Sequence, residues 1–168
     1  IKLLKDIEEF SFFYQAIRNK DQKALLRIFN FHNYGKALKE HTRNRKDIFT
    51  SIQVLRDCKV TQSDHLIYSF FSTFKKISHN GVKTTNEYNL IKKYPKMFLR
   101  TLENLHYVNY GIGDRRGNEI DELYQEASKD IYNSNNLNEF QSNLKNFYAK
   151  LKPLRNKRAV FVDNFINK

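Results

Sequence analysis

Two arginines inside a glycine turn are the residues of this chain best suited to chemistry. The segment GIGDRRGN, Gly111–Asn118, sets three glycines and the pair Arg115–Arg116 ahead of a helix start. Bare backbone N–H groups at such a start, together with guanidinium forks, can hold a phosphate. No strand precedes the segment and no Lys-Ser or Lys-Thr follows it. It is therefore neither a Walker loop nor a dinucleotide fingerprint. Two readings stay open: a contact to a nucleic-acid backbone, or a structural turn whose arginines pair with acids elsewhere in the fold.

Basic residues also gather in three other places. GKALKEHTRNRKD, Gly35–Asp47, brings together Lys36, Lys39, His41, Arg43, Arg45 and Lys46. LIKKYPKMFLR adds Lys92, Lys93, Lys96 and Arg100 around Tyr94. AKLKPLRNKR adds Lys150, Lys152, Arg155, Lys157 and Arg158 at the end of a helical pattern. Lys and Arg near a helix C-terminus are favourable in any protein, so the last cluster is explained by helix termination. The first has no such explanation and is the preferred phosphate-contacting segment. Contacts of that kind position a nucleic acid without reading its sequence.

Other chemistries find less support. His32, His41, His65, His79 and His106 do not pair with Cys58 or with an acid at a familiar metal-ligand spacing, so no metal site is expected. Cys58 closes an apolar stripe and reads as a small buried hydrophobe. Glu119, Asp121 and Glu122 cluster where a helix begins, and capping accounts for them better than acid–base catalysis.

These residues belong to a strongly basic chain. Its 168 residues carry 30 Lys+Arg against 18 Asp+Glu, a net charge of +12. That imbalance concerns partners and solubility and says nothing of fold. A polyanion is the obvious partner; a merely solvated basic surface is the alternative. With 40% aliphatic and aromatic residues the chain can build one sizeable core. The single cysteine forbids an internal disulfide, which fits the cytoplasm. No run of about 18 apolar residues suggests a membrane span. The chain opens inside a helical pattern without an initiator Met, so a piece of a longer protein is expected.

The elements that must position the basic residues are helices. Only 2 Pro and 5 Gly interrupt the chain, and no strand alternation is visible. The fold class expected is all-α, a single domain over 1–168 of about eight or nine helices, with sub-lobes 1–80 and 84–168 conceivable. Leu3, Ile7, Phe10, Tyr14 and Ile17 share one face of the first helix. Asp21 can cap a second, short helix with Ala24, Leu25, Ile28 and Phe29. Gly35–Lys46 reads as a polar basic connection before a third helix with Ile48, Phe49, Ile52 and Leu55. A fourth, capped by Ser63 or Thr61 and ending at Asn80–Gly81, is the most apolar and belongs at the centre of the core. Thr84 and Thr85 can start a short helix ending before Pro95. Pro95 then sits in the first turn of a sixth helix with Met97, Phe98, Thr101, Leu102 and Leu105 buried. Asn118 caps a seventh, with Asp121 completing a box-like start and Ile120, Leu123, Tyr124, Ala127 and Ile131 inside. An eighth holds Leu137, Phe140, Leu144, Phe147 and Leu151, and Pro153 should separate it from a last helix with Phe161 and Phe165.

The stretch Leu105–Tyr124, LHYVNYGIGDRRGNEIDELY, resembles the helical region of a large bacterial family of unknown function related to GmrSD-type (type IV) restriction endonucleases. The resemblance is carried by His106, Tyr107 and Tyr110, then Arg115 and Arg116, then Asn118 and Asp121, then Tyr124 and Ala127. It extends over about Met97–Phe165. Such proteins carry an N-terminal ParB-like nucleotide-hydrolysing domain with a DGQQR-like motif, and many add a C-terminal HNH-like nuclease. Neither motif occurs in these residues.

The resemblance thus implies a non-catalytic, cofactor-free helical domain of a restriction or phage-defence protein. Lys36, Lys39, Arg43, Arg45 and Lys46 would touch phosphates, with Arg115 and Arg116 as a second contact and Asn118, Asp121 and Tyr124 as the structural motif. The expected partners are nucleic acid, DNA by this resemblance, and the flanking domains, with no membrane. Two rivals remain: a protein–protein interaction scaffold, and an independent metal-dependent nuclease.

Overall fold

The computed structural model describes residues 2–19, 21, 23–25, 38–58, 60–81, 93–107 and 118–155, and only the backbone at 2, 3, 38–45, 78–81, 118, 119 and 155. The protein is all-α. Six helices lie in the described residues: α1 (Lys2–Arg18), α2 (Leu38–Asp57), α3 (Asp64–Gly81), α4 (Tyr94–His106), α5 (Asn118–Tyr132) and α6 (Leu137–Arg155). The short helix expected after Thr84 and the closing helix with Phe161 and Phe165 lie outside those residues.

One apolar cluster holds all six helices together, running from Phe13 to Leu151. At its centre is α3, as its composition anticipates. Leu66, Ile67, Phe70, Phe71, Phe74 and Ile77 are all buried on it. The Phe70 ring lies flat against Phe98 of α4, centroids 4.0 Å apart and planes 6° from parallel. It also meets Phe140 of α6 at 5.4 Å. Helix α3 packs along α5 and α2 packs along α4. Residues before 81 and residues after 93 therefore share one core, and the boundary between the two conceivable sub-lobes runs through it.

Local chemistry sets several of the helix ends. The Asp21 carboxylate accepts hydrogen bonds from the backbone of Lys23 and Ala24, each 3.0 Å, and Leu25 beyond them is buried. Ser63 occupies the cap position of α3, its carbonyl taking the Ile67 N–H at 2.8 Å. Pro95 sits in the first turn of α4, where its missing N–H costs nothing. At α6, Asn136 Oδ1 accepts the Glu139 N–H at 2.9 Å while Glu139 reaches back to the backbone N–H of Asn135 at 2.8 Å. This is a reciprocal cap. It also holds the Glu139 carboxyl below its usual range, the Asn135 backbone bond contributing most.

Several expectations are corrected. The tract from Leu38 to Lys46 is helical, so α2 begins nearly three turns before the first buried isoleucine. Its high polarity hid it, because a helix turn of polar residues shows no apolar period. On α1 the core face is Phe13, Ala16 and Ile17, whereas Ile7 is 55% exposed. Met97 is 51% exposed and Phe98, Leu99, Leu102 and Leu105 fill the inward stripe of α4. Cys58 is exposed just past the end of α2, and Val60 takes the inward place. Pro153 lies inside the last turn of α6 and does not end it.

Candidate nucleic-acid interface

The preferred phosphate-contacting residues separate by helical register. Lys39, Arg43, Arg45 and Lys46 all belong to α2, while Lys36, Arg115 and Arg116 lie outside the described residues. At about 3.6 residues per turn, Lys39, Arg43 and Lys46 fall on one stripe. The exposed residues Thr50, Gln53 and Asp57 continue that stripe. Ile48, Ile52 and Leu55, all buried, occupy the opposite side. Arg45 precedes Ile48 by three positions and Ile52 by seven, so it shares their register and falls off that stripe. Lys46 is exposed, and its carbonyl accepts the Thr50 hydroxyl at 2.9 Å.

The other basic clusters are partly neutralised by acids. Lys96 Nζ meets Asp47 Oδ2 of α2 at 2.5 Å. Arg100 lies 3.6 Å from Glu103, whose other carboxylate oxygen accepts the Ser51 hydroxyl at 2.8 Å. These contacts advance together along both helices and key α2 to α4. On the third cluster, Lys150 meets Glu126 of α5 at 2.5 Å. Each such exposed pair is worth only about 0–1 kcal/mol to stability, yet each removes a cation from the field available to a polyanion. Lys46 has no ion-pair partner among the described residues.

The helices that flank Arg115 and Arg116 in sequence, α4 and α5, are bonded to each other. His106 is the last residue of α4, and its Nε2 lies 2.8 Å from the Tyr124 hydroxyl of α5. Both side chains are buried, His106 at 2% exposure and Tyr124 at 0%. Burial pushes the imidazole down to about 4, so it is neutral near pH 7. In the Nδ1–H tautomer, Nε2 accepts the phenol proton. A neutral pair sealed in the core is suited to fixing the helices and out of reach of a substrate. Asn118 is the first residue of α5, Asp121 is half-buried, and Ala127 packs in the core.

No family model, curated protein or solved structure matches the chain. The functional reading therefore rests on the chain's own residues and on the resemblance of Leu105–Tyr124.

Two features had no signal in the sequence. Arg56 and Asp64 form a buried ion pair across the turn between α2 and α3. Burial raises the Asp64 carboxyl above its usual range against the opposing pull of Arg56. The second is an open groove of about 540 Å³ walled by α1, α3 and α5, with Phe10, Tyr68 and Tyr132 among its lining. Each helix contributes one ring, and no local spacing links them. Among the described residues no three His, Cys, Asp or Glu side chains converge as a metal site, and no helix is long and apolar enough to cross a membrane.

Proposed function

We propose that this chain is a non-catalytic helical domain that holds a nucleic-acid backbone electrostatically, as the linking domain of a GmrSD-like restriction or phage-defence protein. The observation that carries the reading is the helical backbone of α2 over 38–46, whose register sets Lys39, Arg43 and Lys46 on one stripe, on a chain of net charge +12. Lys36 precedes the stripe in sequence, and Arg115 and Arg116 serve as a second contact. Backbone phosphates rather than base edges are the expected targets, because cations spaced along a helix face match charge without encoding sequence. The cytoplasm is the compartment, and the flanking domains would be a ParB-like nucleotide-hydrolysing unit and a nuclease.

Fluorescence anisotropy of a labelled DNA duplex across a salt series tests the proposal. Affinity should fall steeply with salt, since each neutralised phosphate contributes about 0.9 to the log–log slope. Replacing Lys39, Arg43 and Lys46 together by Gln should flatten that slope. An absence of binding at low salt would overturn the reading and favour an interaction scaffold, to be sought among the flanking domains.

A further inference from the structure

The outer face of α4 alternates cations with apolar and flat side chains. Lys93, Met97, Arg100, Asn104 and Tyr107 follow one another at helical spacing, and all five are exposed. Phe98, Leu99, Leu102 and Leu105 take the core side of the same helix. Both ends of the outer stripe are held in helical register. Lys93 precedes Pro95 at φ −82°, ψ −26°. Tyr107 continues the helix past His106 at φ −59°, ψ −48°, its N–H bonding the Glu103 carbonyl. His106 is fixed in the core by Tyr124, so the Tyr107 ring, 56% exposed, stands on a backbone anchored one residue away.

The cations of the stripe keep donors for a ligand. Lys93 has no ion-pair partner among the described residues. Arg100 lies 3.6 Å from Glu103, which offsets part of its charge but stands beyond hydrogen-bond distance. The other Glu103 oxygen accepts the Ser51 hydroxyl, and the guanidinium is half exposed. Helices α2 and α4 run side by side in the same direction, since Asp47 meets Lys96 and, farther along both, Ser51 meets Glu103. Lys46 and Lys93 therefore stand at the same end of this helix pair. The basic positions of α2 extend to one side of that level, and the mixed stripe of α4 extends to the other.

This alternation discriminates between forms of nucleic acid. A duplex keeps its base faces stacked inside, so a ring beside its backbone has no face to meet. An unpaired strand exposes base faces between its phosphates, and cations interleaved with an aromatic ring match that order. We propose that the α4 stripe binds an unpaired nucleic-acid strand, with Lys93 and Arg100 on phosphates and Tyr107 stacked on a base. Met97 adds apolar contact between the two cations. The proposal rests on the nucleic-acid reading of α2 and adds that the strand state is recognised here. Sequence is not, because every base has a face to stack.

Fluorescence anisotropy tests it, with a labelled oligothymidylate and a labelled duplex of equal length each titrated with the full chain across a salt series. The single strand should bind more tightly than the duplex. Tyr107→Ala should weaken single-strand binding about ten-fold, equivalent to about 1.4 kcal/mol, and leave duplex binding unchanged. Its salt slope should match the parent's, because the ring neutralises no phosphate, whereas Arg100→Gln should lower the slope. Tyr107→Phe should retain binding. Tyr107 is exposed, so circular dichroism of Tyr107→Ala should match the parent. Duplex binding as tight as that of the single strand would overturn this proposal and leave the phosphate contacts of α2 standing. An equal loss on both ligands in Tyr107→Ala would do the same. Salt-sensitive binding of neither ligand would overturn both.

Discussion

His106 Nε2 and the Tyr124 hydroxyl lie 2.8 Å apart in the core, joining the end of α4 to the second turn of α5. The pair ties together the two helices that flank Arg115 and Arg116 in sequence. It also makes the fold sensitive to acid. The imidazole is lowered to about 4 from 6.5, so in the intervening range the unfolded chain binds a proton that the folded chain refuses. Stability should be full above about pH 6.5 and fall as pH drops toward 4. At about 1.4 kcal/mol per unit, the loss is on the order of 3 kcal/mol. His65 is lowered too and adds to the same trend. Denaturant melts of the parent and His106→Gln at several pH values check this, with a shallower pH dependence expected in the variant. Tyr124→Phe should cost about 1–3 kcal/mol near pH 7 while leaving the ring packing intact.

The Arg56–Asp64 pair makes a second pH-dependent prediction of opposite sign. Removing the arginine leaves a buried carboxylate, and Arg56→Met should destabilise by about 3–5 kcal/mol near neutrality. Without Arg56 the Asp64 carboxyl titrates higher still in the folded state, which then binds a proton more readily than the unfolded chain. The deficit relative to the parent should therefore shrink as pH falls. Arg56→Met/Asp64→Asn should recover much of the loss at pH 7. Urea midpoints at two pH values decide the matter.

The stack of Phe70 on Phe98, with centroids 4.0 Å apart, joins α3 to α4 at the middle of the core. Phe70→Ala should cost about 3–5 kcal/mol, and Phe70→Leu clearly less because it keeps most of the volume. Thermal unfolding of both variants checks the ranking.

Cys58 offers a simple check on the end of α2. It is exposed, so the native protein should take up one equivalent of a thiol reagent without denaturant. Slow labelling that needs unfolding would place the residue in the core instead.

On α2, helical register distinguishes cations that sequence proximity groups together. Arg45→Gln should alter the salt dependence of duplex binding less than Arg43→Gln, because Arg45 shares the register of buried Ile48 and Ile52. Anisotropy slopes of the two single variants provide the comparison.

Much of the helical plan is legible in the residues. Apolar period locates α3, and Pro95 and Asn118 mark the starts of α4 and α5. The first turns of α2 escape notice because their residues are mostly polar, so their helicity shows in no apolar pattern. On α1 the ambiguity is of another kind. Leu4, Ile7, Phe12 and Phe13 surround much of the helix, and the face that turns inward is settled by Tyr68, which meets Phe10 and Phe13 from α3. Arg115 and Arg116 stand out in the sequence by their neighbours, but the His106–Tyr124 bond joins residues 18 positions apart. The aromatic groove was invisible for the same reason, its rings arriving on three separate helices.

The shared core has a consequence for any attempt to divide the protein. The apolar face of α3 is covered by α4, α5 and α6, and the inner side of α2 by α4. Neither 1–81 nor 93–168 has a partner for its greasiest surface when made alone. Each fragment should misbehave in isolation, and the two should rescue one another when produced in the same cell, reassembling as a split protein without a covalent join.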